Sequence, residues 1–128
     1  MTPYELLDAA KDLMRQPDAP FDGIWPRAAA LLARQALEVA MGELWAFKRQ
    51  AAGMSRSAMR SQLLGLTAYL DPGTASRAAY LHAALSHACH YHPYELAPTA
   101  AELTSWLDQA AQVVTQMQAA SAASATQA

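Results

Sequence analysis

The chain has 128 residues, 53% of them hydrophobic and 16% charged, with a formal net charge of -2. That length suffices for one domain that buries a core without disulfides or metal, and the near-neutral balance supplies no global field for nucleic acid or an anionic membrane. The single cysteine excludes an internal disulfide, and no apolar run approaches the roughly 18 residues a membrane helix needs. Met1-Thr2-Pro3-Tyr4-Glu5 lacks the basic and apolar regions of a signal peptide, so the expected location is the cytoplasm, with no membrane contact. Much of the hydrophobic content is alanine, and β-branched residues are few. This composition predicts an all-α fold, a compact five-helix bundle over residues 1–118 with a disordered Ala/Ser/Thr/Gln tail over 119–128.

Thr2-Pro3-Tyr4-Glu5 reads as a capping box, with proline at the first helical position, opening a helix to about Arg15. Leu6, Leu7, Ala10, Leu13 and Met14 give it one buried stripe. Two prolines and a glycine between Gln16 and Gly23 make a loop. Trp25-Pro26 opens the longest helix, to about Arg49, whose wide apolar face includes Leu31, Leu32, Ala36, Val39 and Phe47, with Arg27, Arg34, Glu38 and Lys48 on the wetter side. A third helix follows from about Ser57, and Asp71-Pro72-Gly73 stops it. Thr74 is the expected cap of a fourth, with Tyr80, Leu81, Leu85 and Ala88 on its apolar side, ended by Pro93. Thr99-Ala100-Ala101-Glu102 is a second capping box, for a fifth helix through Met117. The long helix and the Thr74 helix are expected to form the central pair, with Leu32, Ala36, Val39, Leu81 and Leu85 mostly buried.

Candidate chemistry concentrates between Ser86 and Glu95, where His87, Cys89, His90 and His92 cluster at a helix end. Imidazole titrates nearest neutrality, so such a cluster can move protons, bind a metal or contact phosphate. As metal ligands the set is poorly spaced: His87 and His90 share a helix face, but a closed site needs further ligands and His82 points elsewhere. A nuclease needs a proton-transferring histidine, a cation for the phosphorane and a polar group to hold the phosphate. Two registers offer these: Arg77-x4-His82 within the fourth helix, and His87-x4-His92-Pro93-Tyr94 at its end. Five helical residues turn by about 140°, so Arg77 and His82 should diverge in a regular helix. The plain alternative for every one of these side chains is a capping or core role at a helix terminus, where the dipole favours protonated imidazole. Trp25, Trp45 and Trp106 read as core or interface aromatics, because no basic residues interleave with them as in a base-stacking platform.

The stretch Trp25-Pro26-Arg27-Ala28-Ala29-Ala30-Leu31-Leu32-Ala33-Arg34-Gln35-Ala36-Leu37-Glu38 and the later His92-Pro93-Tyr94 resemble the HEPN superfamily. These are small helical bundles that include ribonucleases of toxin-antitoxin and phage-defence systems. The resemblance covers most of Trp25 to Val114. The family's nuclease motif resembles Arg-x4-6-His, often followed by x-Tyr, which implies His92 as the catalytic histidine and Tyr94 as the phosphate-positioning tyrosine. His87, with His90 beside it, then stands where the arginine belongs, and an imidazole is only partly charged where a guanidinium is always charged. The resemblance therefore implies an inactive relative, a variant in which the arginine is replaced, or an enzyme that draws its cation from Arg77 or Arg34. It further implies a homodimer, an RNA substrate, a cognate antitoxin or defence-complex partner, and no metal or other cofactor. The competing readings are a non-catalytic helical dimerisation or interaction module, and a metal-binding protein built on the histidine cluster.

Overall fold

A computed structural model describes residues 1–15, 25–51, 53–90 and 96–126. Among them are five α-helices and no strand: α1 (Pro3–Met14), α2 (Trp25–Phe47), α3 (Met59–Gly65), α4 (Pro72–Cys89) and α5 (Ala100–Thr126). Short 3-10 turns at Arg49–Ala51, Met54–Arg56 and Leu66–Ala68 carry the chain between α2 and α4.

The helix starts follow from their caps. The Thr2 hydroxyl accepts the Glu5 amide at 3.1 Å, with Pro3 opening α1. At α5 the box is reciprocal: the Glu102 amide donates to Thr99 Oγ1 at 3.0 Å, and the Thr99 amide donates to Glu102 Oε1 at 3.1 Å. The start of α4 corrects the sequence expectation. Asp71, not Thr74, is the cap, because Pro72 takes the first helical position and leaves the residue before it to receive the orphan amides. Asp71 Oδ2 accepts the Thr74 amide at 3.0 Å and Oδ1 the Thr74 hydroxyl at 2.6 Å.

The Thr74 hydroxyl and then its amide hold the Asp71 carboxyl below its usual 3.8. A carboxyl depressed in the folded state stabilises the fold above its unfolded pKa and loses that contribution as pH falls through the folded one. Asp71→Ala is therefore expected to lower the melting temperature at pH 7, with the gap to the wild type narrowing toward pH 2. A gap of equal size at both pH values would show that the carboxylate charge contributes nothing to the cap.

α2 is the central element, touching α1, α4 and α5. Ala29, Ala30, Ala33, Ala36 and Ala40 are at most 1% exposed. Methyl-sized side chains let neighbouring helices approach toward the short end of the usual 8–10 Å range. Leu37, Met41, Leu44 and Trp45 then fill the wider part of the interior, against Leu7, Leu81, Leu85, Leu103, Leu107 and Met117. Ala36, Leu81 and Leu85 are buried as expected, but Leu32 is only half-buried and Val39 is 36% exposed. Leu31, Phe47 and Tyr80 also face outward. The reason is the phase of α2: its buried positions advance as 29/30, 33, 36/37, 40/41 and 44/45, which leaves the ridge through Leu31 and Val39 outside.

Two further expectations change. The α2–α4 pair is not the centre, since α2 packs more extensively on α1 and α5, and α4 buries only about one residue per turn, Ala75, Ala78, Leu81, Leu85 and Ala88. Residues from Ala119 onward are not a frayed tail at their start, because α5 continues to Thr126. Alanine and glutamine with no breaker sustain a helix. Ser121 is 8% exposed, and the Lys48 ammonium donates to the Ala120 carbonyl at 3.2 Å.

Candidate functional site

The regular turn of α4 decides which of its polar side chains meet. Arg77 lies on the α5 side, where its Nη1 donates to Gln112 Oε1 at 2.7 Å. His82 lies on the α2 side, its Nε2 3.0 Å from Glu38 Oε1. The literal Arg-x4-His spacing is thus split across two helix seams, and Arg77 and His82 do not converge.

A different arginine shares His82's carboxylate partner. Arg34 precedes Glu38 by one turn of α2, and its Nε approaches the same Glu38 Oε1 at 3.6 Å. That separation is an ion-pair contact, too long for a hydrogen bond. Arg34 Nε is shielded from solvent and has no hydrogen-bond partner among the described residues. The seam between α2 and α4 therefore holds a guanidinium, a carboxylate and an imidazole, with one buried N–H left unsatisfied. Glu38 fixes the ring of His82 by accepting at Nε2, the orienting role a carboxylate plays toward a proton-transferring histidine. His82, with 14% of its side chain exposed, also lines a hollow of about 420 Å³ between α3 and α4, walled by Met59, Leu63 and Ala79 and flanked by Arg60.

Cys89 is half-buried near the same charges. Burial pushes its thiol up from the usual 9.0; Arg34 opposes the shift and Glu38 adds to it. The thiolate is the nucleophile, so alkylation of Cys89 by iodoacetamide at pH 7.5 is expected to run several-fold slower than that of free cysteine. A rate equal to free cysteine would show that the seam is open to solvent.

His87 and His90 are exposed near the end of α4, where the His90 amide donates to the His87 carbonyl at 3.1 Å. His92 and Tyr94, on which the second register depends, lie outside the described residues, as does Pro93. No group of three or more His, Cys, Asp or Glu able to hold a metal ion occurs among the described residues, and none of the helices described is long and apolar enough to cross a membrane.

Glu38 is the residue that sequence reasoning passed over, placing it simply on the wet side of α2. Its contact with His82 spans 44 positions, so no local spacing announces it. The available signal was the Arg34-x3-Glu38 pair, an i,i+4 arrangement whose charges share one helix face. No protein-family model, curated protein or solved structure matches the chain.

Proposed function

We propose that this chain is a HEPN-like helical domain that cleaves RNA without a metal ion, in the setting of a toxin-antitoxin or phage-defence system. The observation that carries the reading is the meeting of Arg34, Glu38 and His82 on one seam, with Arg34 Nε buried and lacking a hydrogen-bond partner. That set supplies the parts the motif resemblance asks for, with the cation drawn from α2 in place of the missing motif arginine.

In this reading His82, held by Glu38, takes the proton of the ribose 2′-hydroxyl. The 2′-oxygen attacks the adjacent phosphorus, and the P–O5′ bond breaks to leave a 2′,3′-cyclic phosphate. The leaving 5′-oxygen takes its proton from water, because His87 lies five residues and about 140° around α4 from His82 and does not share its face. Arg34 stabilises the charge on the phosphorane oxygens, a guanidinium being permanently charged and shaped for phosphate. His92 and Tyr94 remain, by resemblance, the proton-transfer and phosphate-positioning groups.

The test is cleavage of a mixed-sequence RNA in the presence of chelator. Wild-type protein is expected to yield cyclic-phosphate ends, and His82→Ala to lose about 10²–10⁴-fold in rate. A second reading, a non-catalytic interaction module, is favoured by the 14% exposure of the His82 side chain, since a carboxylate bridging two helices is also a sufficient structural pin. Equal background rates for wild type and His82→Ala, with His82→Ala less stable, would select that module.

A further inference from the structure

The hollow between α3 and α4 owes its shape to an unequal pairing of side chains. Gln62, 8% exposed and bonded to the Trp45 indole, fixes the rotation of α3. Met59 and Leu63, one turn apart, then form one row along the hollow, and Arg60 and Leu64 form the next. α4 contributes Ala75 and Ala79. Methyl groups cannot fill the space beside leucine and methionine, so about 420 Å³ stays open, within the roughly 300–1,000 Å³ of small-molecule sites. Leu64 is 68% exposed at the lip, which leaves apolar surface for an occupant to cover.

Charge around this lip has one sign. The lining includes Arg60 and no Asp or Glu, and Arg60 is exposed and forms no ion pair among the described residues. No acid lies between Glu43 and Asp71, a stretch that holds Lys48, Arg49, Arg56 and Arg60 in a chain of net charge -2. Asp71 is itself engaged with Thr74 as the cap of α4. Glu38 reaches His82, which also lines the hollow, but its carboxylate is shared with Arg34. The field at the lip therefore attracts an anion and repels a cation.

We infer that this hollow binds a small organic acid, a carboxylate carried on a short apolar chain. The chain displaces water from Leu63, Leu64 and Ala79. The carboxylate stays at the lip and accepts from Arg60, whose fork of donors matches its two oxygens. One guanidinium balances one negative charge, which selects a monoanion over a phosphate dianion. Met59, unbranched and pliable, lets the hollow close on chains of different shape. The inference uses none of the chemistry of the Arg34 seam and does not depend on the ribonuclease reading.

Isothermal titration calorimetry of the full chain with sodium octanoate at pH 7.5 tests it. Wild-type protein is expected to bind octanoate with a dissociation constant on the order of 0.1–1 mM. Affinity should rise about two- to fourfold for each methylene added from butanoate to octanoate. Octyltrimethylammonium, of like chain length and opposite charge, should bind at least about tenfold more weakly. Arg60→Gln is expected to weaken octanoate by about tenfold and to leave 1-octanol within about twofold, because it removes the charge and keeps the apolar lining. Ala79→Leu fills the hollow and should weaken both. Arg60 is exposed, so helicity by circular dichroism should be unchanged in Arg60→Gln. Arg15→Gln is the control: Arg15 and Lys11 edge a second hollow, between α1 and α5, and this variant should bind octanoate as the wild type does. No binding by wild-type protein up to about 10 mM octanoate overturns the inference. So does octanoate affinity unchanged in Arg60→Gln, or affinity lost in Arg15→Gln, which would place the acid between α1 and α5.

Discussion

Trp45→Ala is expected to lower the free energy of unfolding by about 3–5 kcal/mol, the usual cost of emptying a large aromatic site in a packed interior. Trp45 is 2% exposed and stands where α2, α3 and the turn before α4 meet. Its indole N–H donates to Gln62 Oε1 at 3.0 Å, and Gln62 Nε2 donates in turn to the Ser57 carbonyl at 2.9 Å. Tyr69 packs edge-on against the ring with centroids 5.9 Å apart, and Lys48 lies 5.0 Å from the Tyr69 centroid. Removing the indole creates a cavity and strands a buried amide oxygen. Trp45→Phe is the intermediate step, because it keeps a six-membered ring in the site while losing the donor and part of the indole volume; the stranded acceptor should contribute about 1–3 kcal/mol to its cost. Urea denaturation of the three proteins measures both steps. Marginal domains have about 5–15 kcal/mol in total, so Trp45→Ala should be close to unfolding at physiological temperature. A loss below about 1 kcal/mol would mean that α3 is not anchored through this residue.

The same joint shows why parts of the fold were legible in the sequence and parts were not. Cap residues act on amides two or three positions away, so Thr2 and Thr99 announce their helices locally. At α4 the signal was equally local, but Pro72 made Asp71 the cap and demoted Thr74 to its hydrogen-bond donor. Trp45 was readable as a core aromatic from its type, whereas its bond to Gln62 was not, since a polar residue 17 positions away gives no periodic sign. Val39 failed for another reason. Hydrophobic periodicity places a residue on a face of its own helix, but which faces are covered depends on how α1, α4 and α5 cross α2. Alanine sharpened the difficulty, because a face of buried alanines is as apolar as one of exposed valine and leucine. The polar seam was half legible: Arg77 and His82 were correctly expected to diverge, while the meeting of Arg34, Glu38 and His82 depends on two helices packed together.

That seam yields the sharpest contrast between two arginines. On the ribonuclease reading, Arg34→Ala is expected to slow RNA cleavage by about 10²–10³-fold, the usual loss when one preorganised donor to a developing oxyanion is removed. Arg77→Ala is expected to leave the rate within about twofold, because that guanidinium is engaged with Gln112 on the opposite seam. Arg34→Lys keeps a positive charge but not the fork of donors, so partial activity is the expected result. The stability cost of Arg34→Ala should be small, since Glu38 keeps its contact with His82 and remains partly solvated. Loss of rate with little loss of stability is what a purely structural Arg34 cannot produce. Cleavage that depends on Arg77 and ignores Arg34 would instead require α4 to rearrange when RNA binds, turning Arg77 and His82 to a common face, and would remove the α2–α4 seam from the chemistry.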